Sequence, residues 1–241
     1  ANAATNNTLY GLIDAENVWL VSAVENTVNG IVFSNIENIV GGNAQDNITF
    51  NGAYLTGLID TGDNPADTND TLTLVGDISG VSLHLGNRVT SDINVVGLEE
   101  VTSSVDIPLI ADNVANEWVI TGLGNGLLNA ELEFTGFMSI EGGTANDDVS
   151  FMLPDTFDYA STMLNAMNIS GGLNPTTGSS SDTISFAGWN DALVATLDAN
   201  YVNENVDAVL SNFENIQANA DYNNTLVGFV GDSTWTISGD N

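Results

Sequence analysis

The chain has 241 residues, 43% of them hydrophobic, which is enough for a folded core and too much for an intrinsically disordered segment. Its 32 Asp and Glu residues face a single basic residue, Arg88, and the formal charge of −31 repels phosphate backbones and anionic lipid surfaces alike, excluding nucleic acid and membrane as partners. With no Cys and one His, disulfides and thiolate metal sites are excluded too, and the composition suits a hard cation such as Ca²⁺, a neutral glycan or another copy of the chain.

In chain order, the first pattern is Asn17-Val-Trp19-Leu-Val, followed by Phe33-Ser-Asn-Ile-Glu37-Asn-Ile39 and Gly41-Gly-Asn-Ala-Gln-Asp46-Asn-Ile-Thr-Phe50. Ile48–Phe50, Leu72–Leu74 and Val81–Leu85 alternate apolar with polar residues and predict strands with one buried face. The pattern then restarts at Asn116-Glu-Trp118-Val-Ile, continuing through Phe134 to Ile140 and Gly142-Gly-Thr-Ala-Asn-Asp147-Asp-Val-Ser-Phe151. Strands are predicted again at Val149–Phe151, Ile184–Phe186 and Trp235–Ile237, and only Tyr159 to Met167 has a helical period. Clusters of Gly, Asn, Asp and Ser between the strands supply tight turns.

These blocks are one repeat. The glycine block recurs without gaps at an offset of 101 (41 to 142), and Asn69-Asp70-Thr-Leu-Thr-Leu74 recurs as Ser181-Asp182-Thr-Ile-Ser-Phe186 at an offset of 112 (70 to 182). The units are 17–115 and 116–232, with 233–241 starting a third, and Ala218 to Leu226 resembles Ala1 to Leu9. The expected fold is all-β, a parallel β-solenoid with rungs of roughly 20 to 25 residues, about ten coils and a length of roughly 50 Å. The alternative is a pair of tandem β-sandwich domains with hairpin connections.

Candidate ligands for Ca²⁺ are the acidic loop Asp60, Asp63, Asp67 and Asp70, and the glycine-block residues Asp46, Asp147 and Asp148. For the loop the competing reading is a solvated Asx-rich turn, since the partner loop from Gly171 carries only Asp182; for the glycine blocks it is an Asp side chain capping its own turn. His84 lies opposite in phase to Leu83 and Leu85 and is expected on an exposed strand face, with Arg88 in the following turn. Trp19, Trp118 and Trp235 share one phase and are expected in the core, Trp189 is expected outside it, and Glu37, Glu99 and Glu214 are expected to face solvent. No catalytic or cofactor-binding residue is identified.

The succession Trp-x-Ile, Phe-x-Asn-Ile-Glu-Asn-Ile, Gly-Gly-x-x-x-Asp-x-Ile-x-Phe and Asn-Asp-Thr-Leu resembles the repeats of very large bacterial surface proteins, the haemagglutinin-like and haemolysin-like adhesins. The resemblance implies a parallel β-solenoid, secretion to the cell surface or beyond, and a scaffold or adhesive role rather than an enzymatic one. The glycine blocks also look like the calcium-binding nonapeptide of repeats-in-toxin proteins, but Ala44 and Ala145 replace its third glycine and the blocks do not occur on consecutive turns. The expected function is therefore an extracellular module that stacks head to tail into a filament or forms part of a giant adhesin. A glycan-binding or glycan-hydrolysing β-helix, for which carboxylates suffice, is the alternative.

Overall fold

The computed structural model describes residues 6–63, 65, 68–86, 92–152, 167–172, 181–188, 194–196, 201–203 and 206–227. All regular elements among them are short β-strands, arranged in two sheets of 12 strands each.

The chain passes back and forth between the sheets, with a few runs of consecutive strands staying in one. Thr8–Tyr10 lies in the first, Asn17–Ser22 in the second, Asn38–Gly42 in the first, Asp46–Asn51 in the second, and Leu58–Gly62 and Thr71–Val75 continue the alternation. Where the chain visits the other sheet between neighbours those neighbours are parallel, as in Asn17–Ser22 with Asp46–Asn51 and Asp46–Asn51 with Thr71–Val75. The sheets run unbroken across the boundary between repeat units, where Glu100–Ser103 pairs in parallel with Leu132–Thr135, and Leu109–Ile110 with Ser139–Glu141. Two separate hairpin-connected sandwiches would not share strands in this way.

The spacing of the turns departs from expectation. Paired residues are 20 positions apart at Ile39 and Ile59 (39 to 59) but 35 apart at Asp148 and Thr183 (148 to 183). Antiparallel meanders account for part of the excess: Asn17–Ser22, Asn26–Val28 and Ile31–Phe33 form one, and Asn116–Gly122, Asn125–Leu128 and Leu132–Thr135 form its counterpart in the second unit. In the first, Val28 pairs with Ile31 across Asn29-Gly30, both at positive φ (49° and 76°), the two-residue turn whose twist suits a hairpin.

Register puts like residues above like. Trp19, Ile48, Leu72, Val101 and Phe134 form one continuous column in the second sheet, each at most 1% exposed. Phe50 and Leu74 stack beside it, and Trp118, Val149 and Ile184 repeat the column further on. Trp19 and Trp118 each meet a phenylalanine edge-on, Phe33 and Phe134 respectively, which places both in the core as expected. The first sheet contributes Ile39, Ile59, Val95, Leu109, Ile140 and Ile169.

Strands form at Asp46–Asn51, Thr71–Val75 and Asp147–Phe151, over the segments the alternation predicted. The Val81 to Leu85 strand is confined to Leu83–Leu85, and the Ile184 to Phe186 strand to Thr183–Ser185 with Phe186 buried just after it. Positions 159–166, the Trp235 strand, Trp189, Arg88 and Asp67 lie outside the described residues. No helix among the described residues is long and apolar enough to cross a membrane.

Candidate functional site

The first polar feature of the structure is a column of side chains at the entry to the strands of the second sheet, buried at its Asn and Asp members, half-buried at Glu99 and exposed at Glu214. In the first unit it runs Asn17, Asp46, Asp70, Glu99; in the second it runs Asn116, Asp147, Asp182, Glu214. Asn17, Asp46, Asp70, Asp147 and Asp182 are completely buried and Asn116 nearly so.

Each carboxylate except that of Asp46 accepts the backbone N–H of the column residue one strand away. Asp46 N donates to Asp70 Oδ1 at 2.6 Å and Asp70 N to Glu99 Oε2 at 2.7 Å. In the second unit Asn116 N donates to Asp147 Oδ1 at 3.0 Å, Asp147 N to Asp182 Oδ1 at 2.8 Å, and Asp182 N to Glu214 Oε2 at 2.7 Å. An edge N–H at a strand entry has no ladder partner, and burying it unsatisfied costs about 1–3 kcal/mol. The column supplies that partner repeatedly, with the stronger acceptance of a charged group.

The glycine blocks feed into the same column. Asp46 Oδ2 accepts Gly42 N at 2.9 Å and Asp147 Oδ2 accepts Gly143 N at 2.8 Å, so each aspartate closes the turn that precedes it. A Cβ on Gly41 would run into Asp46 Oδ2 and the Thr61 carbonyl, and one on Gly142 into Asp147 Oδ2 and the Gly171 carbonyl, which explains the first glycine of the motif without a metal. Asp46 Oδ1 also accepts Trp19 Nε1–H at 3.0 Å, and Asn116 Nδ2 donates to Asp147 Oδ1 at 2.6 Å. The cap reading of Asp46 and Asp147 describes these contacts; Asp148 is exposed on its strand.

Burial raises the Asp147 carboxyl above its usual value, and the nearby Asp148 charge adds to this; the hydrogen bonds from Asn116 and Gly143 oppose it. At the surface, the Ser79 hydroxyl and N–H beside Asp77 hold its carboxyl below the usual value.

The acidic loop is divided by the fold. Asp60 lies in the first-sheet strand Leu58–Gly62, its Oδ1 accepting Gly62 N at 3.1 Å, and Asp63 is exposed just beyond. Asp70 opens a second-sheet strand and belongs to the buried column. Asp60 and Asp63 border an open hollow of about 370 Å³ with Tyr10, Ile13, Val40 and Gly41. Among the described residues no group of three or more His, Asp or Glu side chains is placed to hold a metal ion.

The His84 expectation is corrected, and the Glu expectation holds only in part. His84 is buried, 7% exposed, with Nε2 3.1 Å from Asp92 Oδ2. Its phase does point away from Leu83, but Asn94, its register partner on the next strand, is equally enclosed at 2% exposure, so the outer side of this strand is covered. Glu214 is exposed as expected, while Glu37 and Glu99 are half-buried; each stands immediately before a strand and accepts a backbone N–H from a neighbouring segment, in the case of Glu37 that of Asn7 at 2.7 Å. The signal available in the sequence was their recurrence one strand after an Asp: Asp70 to Glu99, and Asp182 to Glu214.

The chain matches no protein-family model, no curated protein and no solved structure among those compared.

Proposed function

We propose that the chain is an extracellular structural or adhesive module, a β-solenoid whose two sheets are opposite walls of one coil and which stacks end to end on a bacterial surface or in a filament. The observation that carries this reading is the repeated column Asn17-Asp46-Asp70-Glu99 and Asn116-Asp147-Asp182-Glu214: its acids accept backbone N–H groups, an architectural task.

Translation of one register through both units supports a rod that extends by adding turns, the property of repeat scaffolds. The charge of −31 with almost no Lys or Arg supports a protein that works in salt- or calcium-bearing water, where screening offsets its self-repulsion. Calcium enters as a cation that would bind the half-buried Asp60 and the exposed Asp63 and Asp148 and moderate that repulsion.

Electron microscopy of the purified chain, with millimolar Ca²⁺ and with chelator, tests the reading. Filaments one coil wide support it, and their loss in chelator ties calcium to assembly. Compact monomers in both conditions refute end-to-end assembly.

A further inference from the structure

The two copies of the meander differ in one respect. Leu132–Thr135 is flanked in parallel by Glu100–Ser103, with Glu100 opposite Glu133, Val101 opposite Phe134 and Thr102 opposite Thr135. Ile31–Phe33, its counterpart in the first unit, is the edge of the second sheet with no strand on that side among the described residues. Leu132 is 5% exposed, whereas Ile31 is 69% and Val32 58% exposed. Tyr10, Leu12, Ile13 and Val24, also strongly exposed, come from the same stretch of chain, residues 10–32.

The opposite edge of the second sheet is Asn215–Gln217. This strand holds the place of Glu100–Ser103: Thr183 pairs with Asn215 as Thr71 pairs with Glu100, and Glu214 precedes it as Glu99 precedes the other. One edge therefore lacks the kind of strand that the other edge presents.

Resting on the reading above, we propose that Asn215–Gln217 of one copy pairs in parallel with Ile31–Phe33 of a second copy, in the register of the internal junction. That register sets Asn215 opposite Val32, Ile216 opposite Phe33 and Gln217 opposite Ser34. It repeats a junction that the chain already makes once within itself, and because it is a head-to-tail translation it does not close into a dimer.

The first sheet adds a condition. Thr8–Tyr10 pairs with Asn38–Gly42 as Leu109–Ile110 pairs with Ser139–Glu141, and Thr225–Val227 pairs with Val194–Thr196 as Leu109–Ile110 pairs with Leu83–Leu85. Thr8–Tyr10 and Thr225–Val227 thus hold the same place in the repeat, and the matching sequences Ala1 to Leu9 and Ala218 to Leu226 agree with this. In the stack only one of them fits. Leu9 is only half-buried where its equivalent Leu109 is fully buried, and Tyr10 is 70% exposed where its equivalent Ile110 is half-buried, so the Thr8–Tyr10 strand is the one displaced, by Thr225–Val227 of the incoming copy.

The absence of Cys makes the pairing directly readable. Single variants Val32→Cys and Asn215→Cys are mixed under mild oxidation and compared with a mixture of Val24→Cys and Asn215→Cys, Val24 being the more exposed residue in a turn of the same end. The expected result is about tenfold more cross-linked pair from Val32 with Asn215, because only that pair reaches disulfide distance in the proposed register. Adding Leu9→Asp to the Val32→Cys chain, which weakens the strand to be displaced, is expected to raise the yield. Filaments by microscopy with no excess of the Val32–Asn215 cross-link over the Val24 control would overturn this interface and leave the structural reading standing. Monomers by sedimentation at every concentration would overturn both the interface and end-to-end assembly. A lower yield with Leu9→Asp, in a variant that retains its β-sheet circular dichroism, would overturn the strand exchange.

Discussion

Asp70 Oδ1 receives the backbone N–H of Asp46 at 2.6 Å, and both residues are wholly buried although both are acids in a chain of charge −31. The relationship recurs between Asp182 and Asp147 in the second unit at 2.8 Å. A carboxylate used in this way does the work of a missing strand, and its removal exposes the requirement.

Asp182→Ala leaves the Asp147 N–H buried without its acceptor, and the expected loss is about 1–3 kcal/mol of stability. Asp182→Asn keeps an acceptor oxygen at the same position and is expected to lose about half as much. Urea unfolding followed by tryptophan fluorescence measures both. Equal stability of the Ala and Asn variants would contradict the role assigned to the oxygen.

Gly142→Ala drives a methyl group into the Asp147 carboxylate and the Gly171 carbonyl, neither of which can move without breaking the cap, so a loss of about 2–3 kcal/mol is expected. Gly30→Ala meets no atom and suffers only from its positive φ, about 1 kcal/mol. Thermal melts of the two variants should keep that order.

The pH dependence of Asp147 has a definite sign. Its carboxyl is raised in the folded state, so between its unfolded value near 3.8 and the raised folded value the native chain holds more protons than the unfolded chain. Stability from this residue is therefore greatest at low pH and declines as pH rises through that window, levelling off above it. The stability difference between wild type and Asp147→Asn, measured by urea titration at a series of pH values, should shift against the wild type as pH rises. A difference independent of pH would show that the carboxyl is not raised.

Self-repulsion sets a further expectation. Raising NaCl from about 10 mM to about 500 mM shortens the Debye length from roughly 30 Å to a few Å and should raise the melting temperature by several degrees. If Ca²⁺ at the same ionic strength produced no larger rise than Na⁺, acids at the surface such as Asp63 and Asp148 would be bearing charge without binding the divalent ion.

Much of the fold could be read from the chain because its information is periodic. Trp19 and Trp118, Asp46 and Asp147, and the glycine pairs before them recur with enough fidelity to place the core column and the turn caps, since each depends on local spacing. The Glu side chains carry a role that their own segments do not reveal: Glu214 does face solvent and Glu99 is half-buried, but each also accepts the N–H of an Asp one strand away, Asp182 and Asp70 respectively. His84 was hidden for a related reason, because its burial comes from Asn94 and Asp92 rather than from its own alternation with Leu83 and Leu85.

The amino-acid sequence by itself determined the all-β class, the repeat, the tight turns and the acidic, base-poor surface, because these follow from residue type and near-neighbour spacing. Only the tertiary structure decided how far apart paired strands lie in the chain, which acids are buried in the column, and which sheet edges remain open. Those depend on register between segments 20 to 41 residues apart, such as Ile39 with Ile59 and Asn168 with Val209, and register is a property of contacts between strands that no single strand encodes.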